Sequence, residues 1–460
     1  MRDTSRLTGL AAALGIGAIA VAHVGADRVD QRLIDAVRSR NHAAVRSLLG
    51  RRTDVNAQSD DGSTALLWAA HWNDLATAEL LVRAGADANA ANELRTTPLS
   101  LACTNGNAAF VRLLLNAGAN PNTPIATGET PIMTCANSGN VDAVRALVEH
   151  RADVNAKEPT EHQTALMWAA AEHHPDVVRA LIDANADLQA RTRKGFSALH
   201  FAAREGDLET ITLLLAAGVD VDIRSKPETA VAPDTSGEVA RGRTASGGAA
   251  AGGEGRGPAY QATLSADSTP LLVATLRGQV PIAIFLLERG AKPNLADAGF
   301  TPLHWAAGTR EGGVSNPVYG FSDPMSGIPD RKAKLQLVHA LLAHGANPNA
   351  RMTRRPPGFA GLGGGYEDAP GATPFLLASA AADVEIMQIL LDAGADPTLV
   401  TDTNATPVMA ASGLNRGIGE NAITEAQALT AVRFLIALGA DARGATTNGE
   451  NALFGASYRG

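Results

Sequence analysis

The sequence of 460 residues carries a formal net charge of −8, and 45% of its residues are hydrophobic but only 4% are aromatic. A chain of this length is too long for one ordinary compact core. The remaining fold classes are several domains, one large barrel or an array of repeats. The few aromatic residues favour thin layers of small side chains, and the acidic balance argues against a nucleic-acid binder, which needs positive charge to displace counterions from phosphates.

The N-terminal segment, residues 1–26, has the layout of a secretory signal peptide. Arg2 and Arg6 precede an uncharged apolar stretch at residues 7–22, and small residues suited to cleavage extend to residue 26. We therefore expect a periplasmic or secreted protein. The alternative is that residues 7–22 stay uncleaved and anchor the protein to the membrane, although this stretch is short and rich in glycine for a span of about 20 strongly apolar residues.

Residues 27–60 predict a helix pair without the start motif that recurs later in the chain. Their apolar positions cluster around Leu33 and Ile34, and again around Val45 and Leu48. An array of repeats needs an end layer that shields its first core layer from water. We interpret this segment as an N-terminal capping repeat.

From residue 61 onward, a Thr-(Ala/Pro)-Leu motif or a close variant recurs with a period of about 33 residues. Its copies begin at Thr64, Thr97, Thr130, Thr164, Ser197, Thr269, Thr301, Thr373 and Thr406. Most intervals are 32 to 34 residues, and the two intervals of 72 residues equal one period plus an insertion of 39. Such a period is the signature of a repeat architecture.

Each unit predicts two short helices. The Ser or Thr hydroxyl can accept from the free N–H groups of a helix start, and a following proline fits the first helical position. Alanine pairs such as Ala69-Ala70 permit close approach of a neighbouring helix. A second helix carries apolar residues three and four apart, as at Val111 and Leu114, and ends at a glycine such as Gly118 before a polar turn.

The unit resembles the ankyrin repeat, both in starts such as Pro302-Leu303-His304 and in ends such as Gly85-Ala86-Asp87-Ala88-Asn89. The resemblance extends from about residue 30 to the C-terminus and implies an all-α solenoid of helix–turn–helix units with short finger turns. About nine full repeats are expected, five in residues 61–224 and four in residues 267–446, with a partial repeat at 447–460. The protein is thereby identified as an exported bacterial member of this family.

Three positions that usually hold glycine in such repeats hold Arg52, Arg151 and Asn185. Asparagine tolerates the left-handed backbone conformation, whereas each arginine there costs on the order of 1–2 kcal/mol.

At the C-terminus, the partial repeat lacks a second helix and exposes apolar surface, which favours a chain that continues beyond residue 460 over a minimal cap.

Four insertions interrupt the period. Residues 225–266 are rich in Gly, Ala, Ser and Thr, and their composition predicts a disordered loop. The insertions at 308–331 and 352–371 contain aromatic and arginine residues, and a further one lies at 413–425. Loops on a rigid scaffold often carry recognition, so both a partner-binding role and tolerated insertion stay open for 308–331 and 352–371.

No catalytic, cofactor or metal site is predicted. Residues 363–365 are glycines, but no Gly-Lys-Ser/Thr follows them, so a phosphate loop is not supported. His173 and His174 point in different directions on a helix and need further ligands to hold a metal. His200 and His304 occupy the position where, in the resembled family, the ring bonds neighbouring backbone.

The two cysteines, Cys103 and Cys135, lie in the first helices of successive units. From the usual spacing of packed helices we expect their Cα atoms to be about 8–10 Å apart. That distance is too long for a disulfide. The sequence therefore predicts two buried, apolar thiols.

Aromatic residues recur at the fourth position after the helix start, at Trp68, Trp168, Phe201 and Trp305. Recurrence at a fixed position of a repeat is typical of packing. A partly exposed stripe of tryptophans could nevertheless contribute binding energy.

The leading functional hypothesis is a non-catalytic, monomeric scaffold for protein–protein interaction. It is not expected to bind nucleic acid, and it is expected to associate with a membrane only if residues 7–22 are not cleaved off. The resemblance implies that partner proteins bind at finger tips and at exposed ends of first helices. Those positions are Asp60, Asp61, His71, Trp72, Glu93, Arg95, Thr104, Asn105, Arg193, Lys194, Phe196, Arg204 and Glu205. The alternatives are the targeting arm of a larger enzyme and an envelope-anchored structural protein.

Overall fold

The computed structural model describes residues 31–51, 53–226, 267–308, 315–316, 321–322, 328–354, 370–413 and 423–457. The expected signal peptide, the glycines at 363–365, Arg52 and most residues of the four insertions at 225–266, 308–331, 352–371 and 413–425 lie outside these residues. The chain divides into two compact units, Met1–Asp187 and Leu188–Gly460, and each unit is taken by itself below.

The first unit consists of helix pairs that follow the predicted period. The first helices of the pairs are α1 (Arg32–Arg38), α3 (Ala65–His71), α5 (Pro98–Thr104), α7 (Pro131–Ser138) and α9 (Ala165–Ala171). The second helices are α2 (His42–Gly50), α4 (Leu75–Arg83), α6 (Ala108–Asn116), α8 (Val141–Glu149) and α10 (Pro175–Asp183).

The second unit continues the same pattern. Its first helices are α11 (Ala198–Glu205), α13 (Pro270–Leu276), α15 (Pro302–Gly308), α17 (Pro374–Ala380), α19 (Pro407–Ser412) and α21 (Ala452–Ser457). Its second helices are α12 (Leu208–Ala216), α14 (Val280–Glu288), α16 (Arg331–Ala343), α18 (Val384–Asp392) and α20 (Glu425–Ala437). Within the insertion after α15, β1 (Ser315–Asn316) pairs antiparallel with β2 (Phe321–Ser322). The predicted array of helix–turn–helix units is confirmed.

The helix starts follow from local hydrogen bonding. The Thr64 hydroxyl accepts from the backbone N–H of Leu67, and the Thr373 hydroxyl accepts in the same way from Leu376. Thr130 is a departure from the expected pattern, because its hydroxyl is buried and accepts no capping hydrogen bond. Most second helices are capped by Asn or Asp, as where Asp74 accepts from the N–H of Thr77. Thr424 caps α20, and α10 and α14 have no side-chain cap.

The second helices end in a left-handed residue, as predicted. Gly85 and Gly118 have φ angles of 90° and 89°. Arg151 and Asn185, which replace glycine, adopt the same conformation with φ of 65° and 60°. The repeat therefore imposes its turn geometry even where the side chain opposes it.

Small side chains form the layers between neighbouring first helices. In the first unit α5 packs between α3 and α7, and α6 packs against α4 and α8. Ala69, Ala70, Ala102 and Ala136 are completely buried at these contacts. Because alanine adds little width, successive helices approach closely and each layer stays thin.

The two cysteines contradict the sequence-based prediction: Cys103 on α5 and Cys135 on α7 form a disulfide, with Cα atoms 4.5 Å apart. The expected 8–10 Å is the spacing between helix axes. Each Cα lies about 2.3 Å from its own axis, so two Cα atoms that face each other are much closer than the axes. The prediction failed because it equated these two distances.

An asparagine ladder connects the turns that follow the second helices. Each ladder asparagine reaches the turn of the next repeat with its side-chain amide. The amide NH2 donates to the carbonyl of the left-handed residue that ends the next second helix. The amide oxygen accepts from the backbone N–H that lies two residues after that left-handed residue. In the first unit its members are Asn56, Asn89, Asn122 and Asn155. The second unit continues the pattern at Asn294 and Asn349.

Replacing Asn122 by alanine should lower the stability of the first unit by about 1–2 kcal/mol, because two exposed hydrogen bonds between repeats are lost. These are the bonds to the Arg151 carbonyl, at 3.1 Å, and from the Asp153 N–H, at 2.7 Å. Urea unfolding followed by circular dichroism measures the change. The control is Asn116→Ala, an exposed asparagine on α6 whose side chain makes no hydrogen bond within the described residues. Equal losses in both variants would contradict the ladder's role.

A buried ion pair connects two second helices of the second unit. Lys334 on α16 is 2% exposed, and its Nζ lies 2.8 Å from Oδ2 of Asp383, the residue that caps α18. The Arg331 guanidinium donates to both Asp383 oxygens, at 2.5 and 2.8 Å. Burial tends to raise the pKa of Asp383, but hydrogen bonds from Arg331 and the charge of Lys334 outweigh it and lower that pKa. Asp383 is thus an ionised carboxylate with two cationic partners.

Candidate functional site

The finger turns of the first unit lie side by side. The backbone N–H of Glu93 donates to the Asp61 carbonyl at 3.0 Å, and the N–H of Ala126 donates to the Leu94 carbonyl at 3.1 Å. The first three fingers are thereby joined by main-chain hydrogen bonds, while side chains at their tips stay exposed. Exposed Asp60, Glu93 and Arg95 are among these side chains.

Asp61 is a structural residue of its finger. Its carboxylate accepts from the Ser59 hydroxyl at 2.5 Å, and from the Ser63 N–H and hydroxyl at 3.0 and 2.8 Å. Partial burial tends to raise the pKa of Asp61, but these hydrogen bonds together lower it. The carboxylate that the sequence offers for partner binding therefore already holds the turn.

The ends of the first helices form a second row beside the fingers. Thr104 and Asn105 are exposed at the end of α5, and the Asn105 side chain donates to the Ala70 carbonyl at the end of α3, at 2.8 Å. Two repeats further on, the His174 ring lies 3.0 Å from the Asn137 carbonyl. Polar side chains thus join successive helix ends.

An aromatic cluster occupies the end of α3. The His71 ring lies 4.6 Å from the Trp72 ring and 5.5 Å from the Trp68 ring, both edge-on. Two arginines that the sequence analysis did not single out cover it: the Arg38 guanidinium lies 5.1 Å from the Trp68 centroid, and that of Arg40 lies 4.4 Å from Trp72. The arginines belong to the preceding repeat, so only helix stacking reveals their position.

Burial, followed by the positive charge of Arg40, lowers the pKa of His71. The imidazole is therefore neutral at pH 7, and the charge of the cluster resides on the two arginines. The indole Nε1 of Trp72 is closed off from solvent without a hydrogen-bond partner among the described residues. The Trp72 ring hence serves as a surface for stacking rather than as a hydrogen-bond donor.

The second unit holds the remaining predicted positions. Arg193 is exposed and Lys194 half-buried in a finger that turns at Gly195, while Phe196 lies edge-on to His200 with ring centroids 5.5 Å apart. At the end of α11, Arg204 and Glu205 form an ion pair at 2.5 Å. The Arg204 guanidinium also lies 4.9 Å from the Phe201 ring. Arg204 therefore contacts Glu205 and Phe201. The finger residue Phe196 contacts His200 instead.

The two buried histidines are tied to backbone. In His200, Nδ1 lies 2.8 Å from the Ser197 hydroxyl and Nε2 lies 2.9 Å from the Ser268 carbonyl. In His304, Nδ1 lies 2.8 Å from the Thr301 hydroxyl, and Nε2 lies 3.0 Å from the Ala350 carbonyl. Burial lowers the pKa of each ring to about 4. Both rings are neutral connectors between repeats and offer no accessible base.

Acid should therefore destabilise the second unit at a pH where most carboxylates are still ionised. The folded-state pKa of each histidine lies below the ordinary 6.5, so the unfolded chain binds the proton first. The stability is complete above pH 6.5 and falls as the pH decreases toward 4, by about 1–2 kcal/mol per histidine between pH 6.5 and 5. Urea unfolding at a series of pH values measures this slope.

The matched control is the His200→Met, His304→Met double variant, because Met133 and Met167 occupy the same position in other repeats. The variant loses hydrogen bonds and should be less stable at pH 7.5, but its stability should change little between pH 6.5 and 5. An unchanged slope would show that other groups cause the acid sensitivity.

Over the described ranges, no group of three or more His, Cys, Asp or Glu side chains is placed to hold a metal ion. No helix among the described residues is long and apolar enough to cross a membrane.

Comparisons with known families agree with this repeat geometry. A family model described as three copies of ankyrin repeats matches residues 33–125, 70–158, 117–192 and 157–225. The single ankyrin repeat matches residues 267–298 and 371–402, so these matches together include more than half of the chain. The chain belongs to the ankyrin-repeat family. Ankyrin repeats generally mediate protein–protein interaction, which fits the finger tips and helix ends described above.

Among solved structures, the ankyrin repeat domain of human ASB11 is similar to the chain. The two are 26% identical, and the match covers 42% of this chain and 86% of that one, with a TM-score of 0.39. A search of curated protein sequences finds no match.

Proposed function

We propose that this ankyrin-repeat protein is an exported, non-catalytic, monomeric scaffold that binds a partner protein through its finger tips and first-helix ends. The observation that carries the proposal is the pair of rows in the first unit. Finger backbones are hydrogen-bonded to one another at about 3.0 Å, and helix ends are joined through side chains such as Asn105. Side chains on such a fixed framework bind with little loss of conformational entropy.

The composition of the rows favours a protein as partner. Tryptophan, histidine and arginine meet at the end of α3, and arginine meets phenylalanine and glutamate at the end of α11. Aromatic and arginine residues are enriched where proteins bind one another. In the described residues, the titratable groups with strongly shifted pKa values are the histidines bonded to backbone, which supports binding over catalysis.

The disulfide supports export. Disulfides persist in the periplasm and outside the cell and are rare in the reducing cytosol. A Cys103–Cys135 disulfide is therefore consistent with cleavage of residues 1–26 and delivery to an oxidising compartment, in a bacterium the periplasm or the medium.

Capture of partners tests the binding role. The full chain with a C-terminal tag is expressed in a bacterial host, and proteins retained from envelope extract are identified by mass spectrometry. We expect a retained protein to be lost in the Trp72→Ala, Arg204→Ala, Glu205→Ala variant. The control is Asp142→Ala, Arg145→Ala, Leu208→Ala, which removes an exposed ion pair from α8 and an exposed leucine from α12. Equal retention by both variants would contradict binding at first-helix ends.

Export is tested on the same preparation. Fractionation locates the protein, mass spectrometry of its N-terminus gives the cleavage site, and alkylation before and after reduction gives the state of the two cysteines. We expect a periplasmic or secreted chain that begins near residue 27 with both cysteines oxidised. A cytoplasmic chain with free thiols would contradict export, and a membrane-bound chain that retains residues 7–22 would favour the anchored alternative.

A further inference from the structure

The cluster at the end of α3 has properties beyond those of a general binding surface. It contains Arg38, Arg40, Trp68, His71 and Trp72, here named the arginine–tryptophan patch, and spans the first two repeats of the first unit. The Trp68 and Trp72 rings are 6.2 Å apart and tilted by 33°. Each of the two indoles has one guanidinium over its ring, so both cations belong to one aromatic cluster.

Both cations lack a neutralising partner among the described residues. Arg38 and Arg40 are exposed, and neither forms an ion pair or donates a hydrogen bond there. The nearby Asp74 carboxylate is already engaged, because it accepts from the Thr77 N–H and lies 3.5 Å from His42. This differs from Arg145 and Arg179 on second helices, which lie 3.9 and 3.6 Å from aspartates of their own helices.

Stacking fixes the arginines without occupying their hydrogen-bonding edges. A guanidinium held over a ring by its positive charge keeps its N–H donors available for an acceptor, and among the described residues neither Arg38 nor Arg40 donates a hydrogen bond. Such an edge matches the two oxygens of a carboxylate. Because the stack already restricts the side chain, less conformational entropy is lost when the carboxylate binds.

The net charge of the chain restricts the occupant. A charge of −8 repels a long polyanion such as nucleic acid. The repulsion is screened beyond about 8–10 Å at physiological salt, so a short segment with a few carboxylates interacts mainly with the patch. Trp68 and Trp72 add apolar surface for the residues between those carboxylates.

We infer that the arginine–tryptophan patch binds an acidic segment of the partner protein, with aspartate or glutamate carboxylates paired to the edges of Arg38 and Arg40. This inference rests on the proposed function and names the chemistry of the partner. His71 is a positioning residue, since its ring packs edge-on against both indoles.

A peptide-binding measurement with the full chain tests the inference. The probe is a fluorescent pool of twelve-residue peptides with four glutamates at varied positions, and the reference is the same pool with glutamines. We expect the glutamate pool to bind, and Arg38→Gln, Arg40→Gln to weaken its binding at least tenfold in fluorescence anisotropy. The matched control, Arg145→Gln, Arg179→Gln, changes the net charge equally and should bind like the unaltered chain.

The indole N–H signals of the chain, recorded by NMR after tryptophan labelling with ¹⁵N, locate the contact. We expect the glutamate pool to shift the Trp68 and Trp72 signals and to leave Trp168 and Trp305 unchanged.

Equal binding by the glutamine pool, equal weakening in both arginine variants, or no binding would overturn the inference. Binding by a phosphoserine pool but not by the glutamate pool would also overturn it and indicate a phosphopeptide. Partner capture is measured separately, so a captured partner with no peptide binding leaves the scaffold function standing without this chemistry.

Discussion

Asp383→Asn should lower the stability of the second unit by about 3–5 kcal/mol, because it leaves Lys334 buried beside a neutral group. Asparagine can still cap α18, so the effect isolates the lost charge. Lys334 is 2% exposed and its Nζ lies 2.8 Å from the Asp383 carboxylate, so solvent screens the pair weakly. Urea unfolding followed by circular dichroism, with hydrogen exchange of α16 and α18, measures the loss.

The control is Asp74→Asn, which alters the equivalent cap of α4, where the exposed His42 ring lies 3.5 Å from the carboxylate. We expect a change of about 0.5 kcal/mol or less there. The Lys334→Met, Asp383→Asn double variant should recover most of the stability, because the buried ammonium is removed together with its carboxylate. Equal losses in the two single variants would mean that the carboxylate acts only as a helix cap.

The pKa of Asp383 gives the sign of its pH dependence. Burial tends to raise this pKa, but the hydrogen bonds from Arg331 and the charge of Lys334 hold it below its ordinary value. The ion pair therefore stabilises the folded state fully above that value, and the contribution is lost as the pH falls through the folded-state pKa. This loss occurs at lower pH than the loss caused by His200 and His304, so a pH series separates the two.

Loss of the Cys103–Cys135 disulfide should lower the stability of the first unit by about 3–4 kcal/mol. The disulfide joins residues 32 apart in sequence, and closing a loop of this length restricts the unfolded chain by roughly that free energy. Cys103→Ala, Cys135→Ala removes it while keeping small, apolar side chains on α5 and α7. Urea unfolding of the oxidised protein, the reduced protein and the variant gives three stabilities.

We expect the reduced protein and the double variant to agree within about 1 kcal/mol and the oxidised protein to exceed both. The single variant Cys103→Ala should resemble the double variant, because either change prevents the cross-link. Identical unfolding of the oxidised and reduced proteins, together with alkylation of both native thiols, would show that the disulfide does not form.

The sequence identified part of the candidate site. Trp72, Arg204 and Glu205 follow from their repeat positions, since a first helix ends at the same place in every period. Arg38 and Arg40 could not be predicted in this way, because they belong to the capping segment, where the start motif is absent. Asp61 was predicted to bind a partner from its finger position, and the structure adds that its half-buried carboxylate accepts hydrogen bonds from Ser59 and Ser63.

The sequence by itself determined the period, the helix starts and the helix ends. These depend on interactions over three or four residues, such as the cap from Thr64 to Leu67, and on the left-handed turns that glycine favours. Only the tertiary structure decided which side chains meet between repeats. How closely the helices stack decides three such contacts: the Cys103–Cys135 disulfide, the arginines over the tryptophan rings, and the Lys334–Asp383 pair across 49 residues. A repeat period gives the order of the layers but not the distances between their atoms.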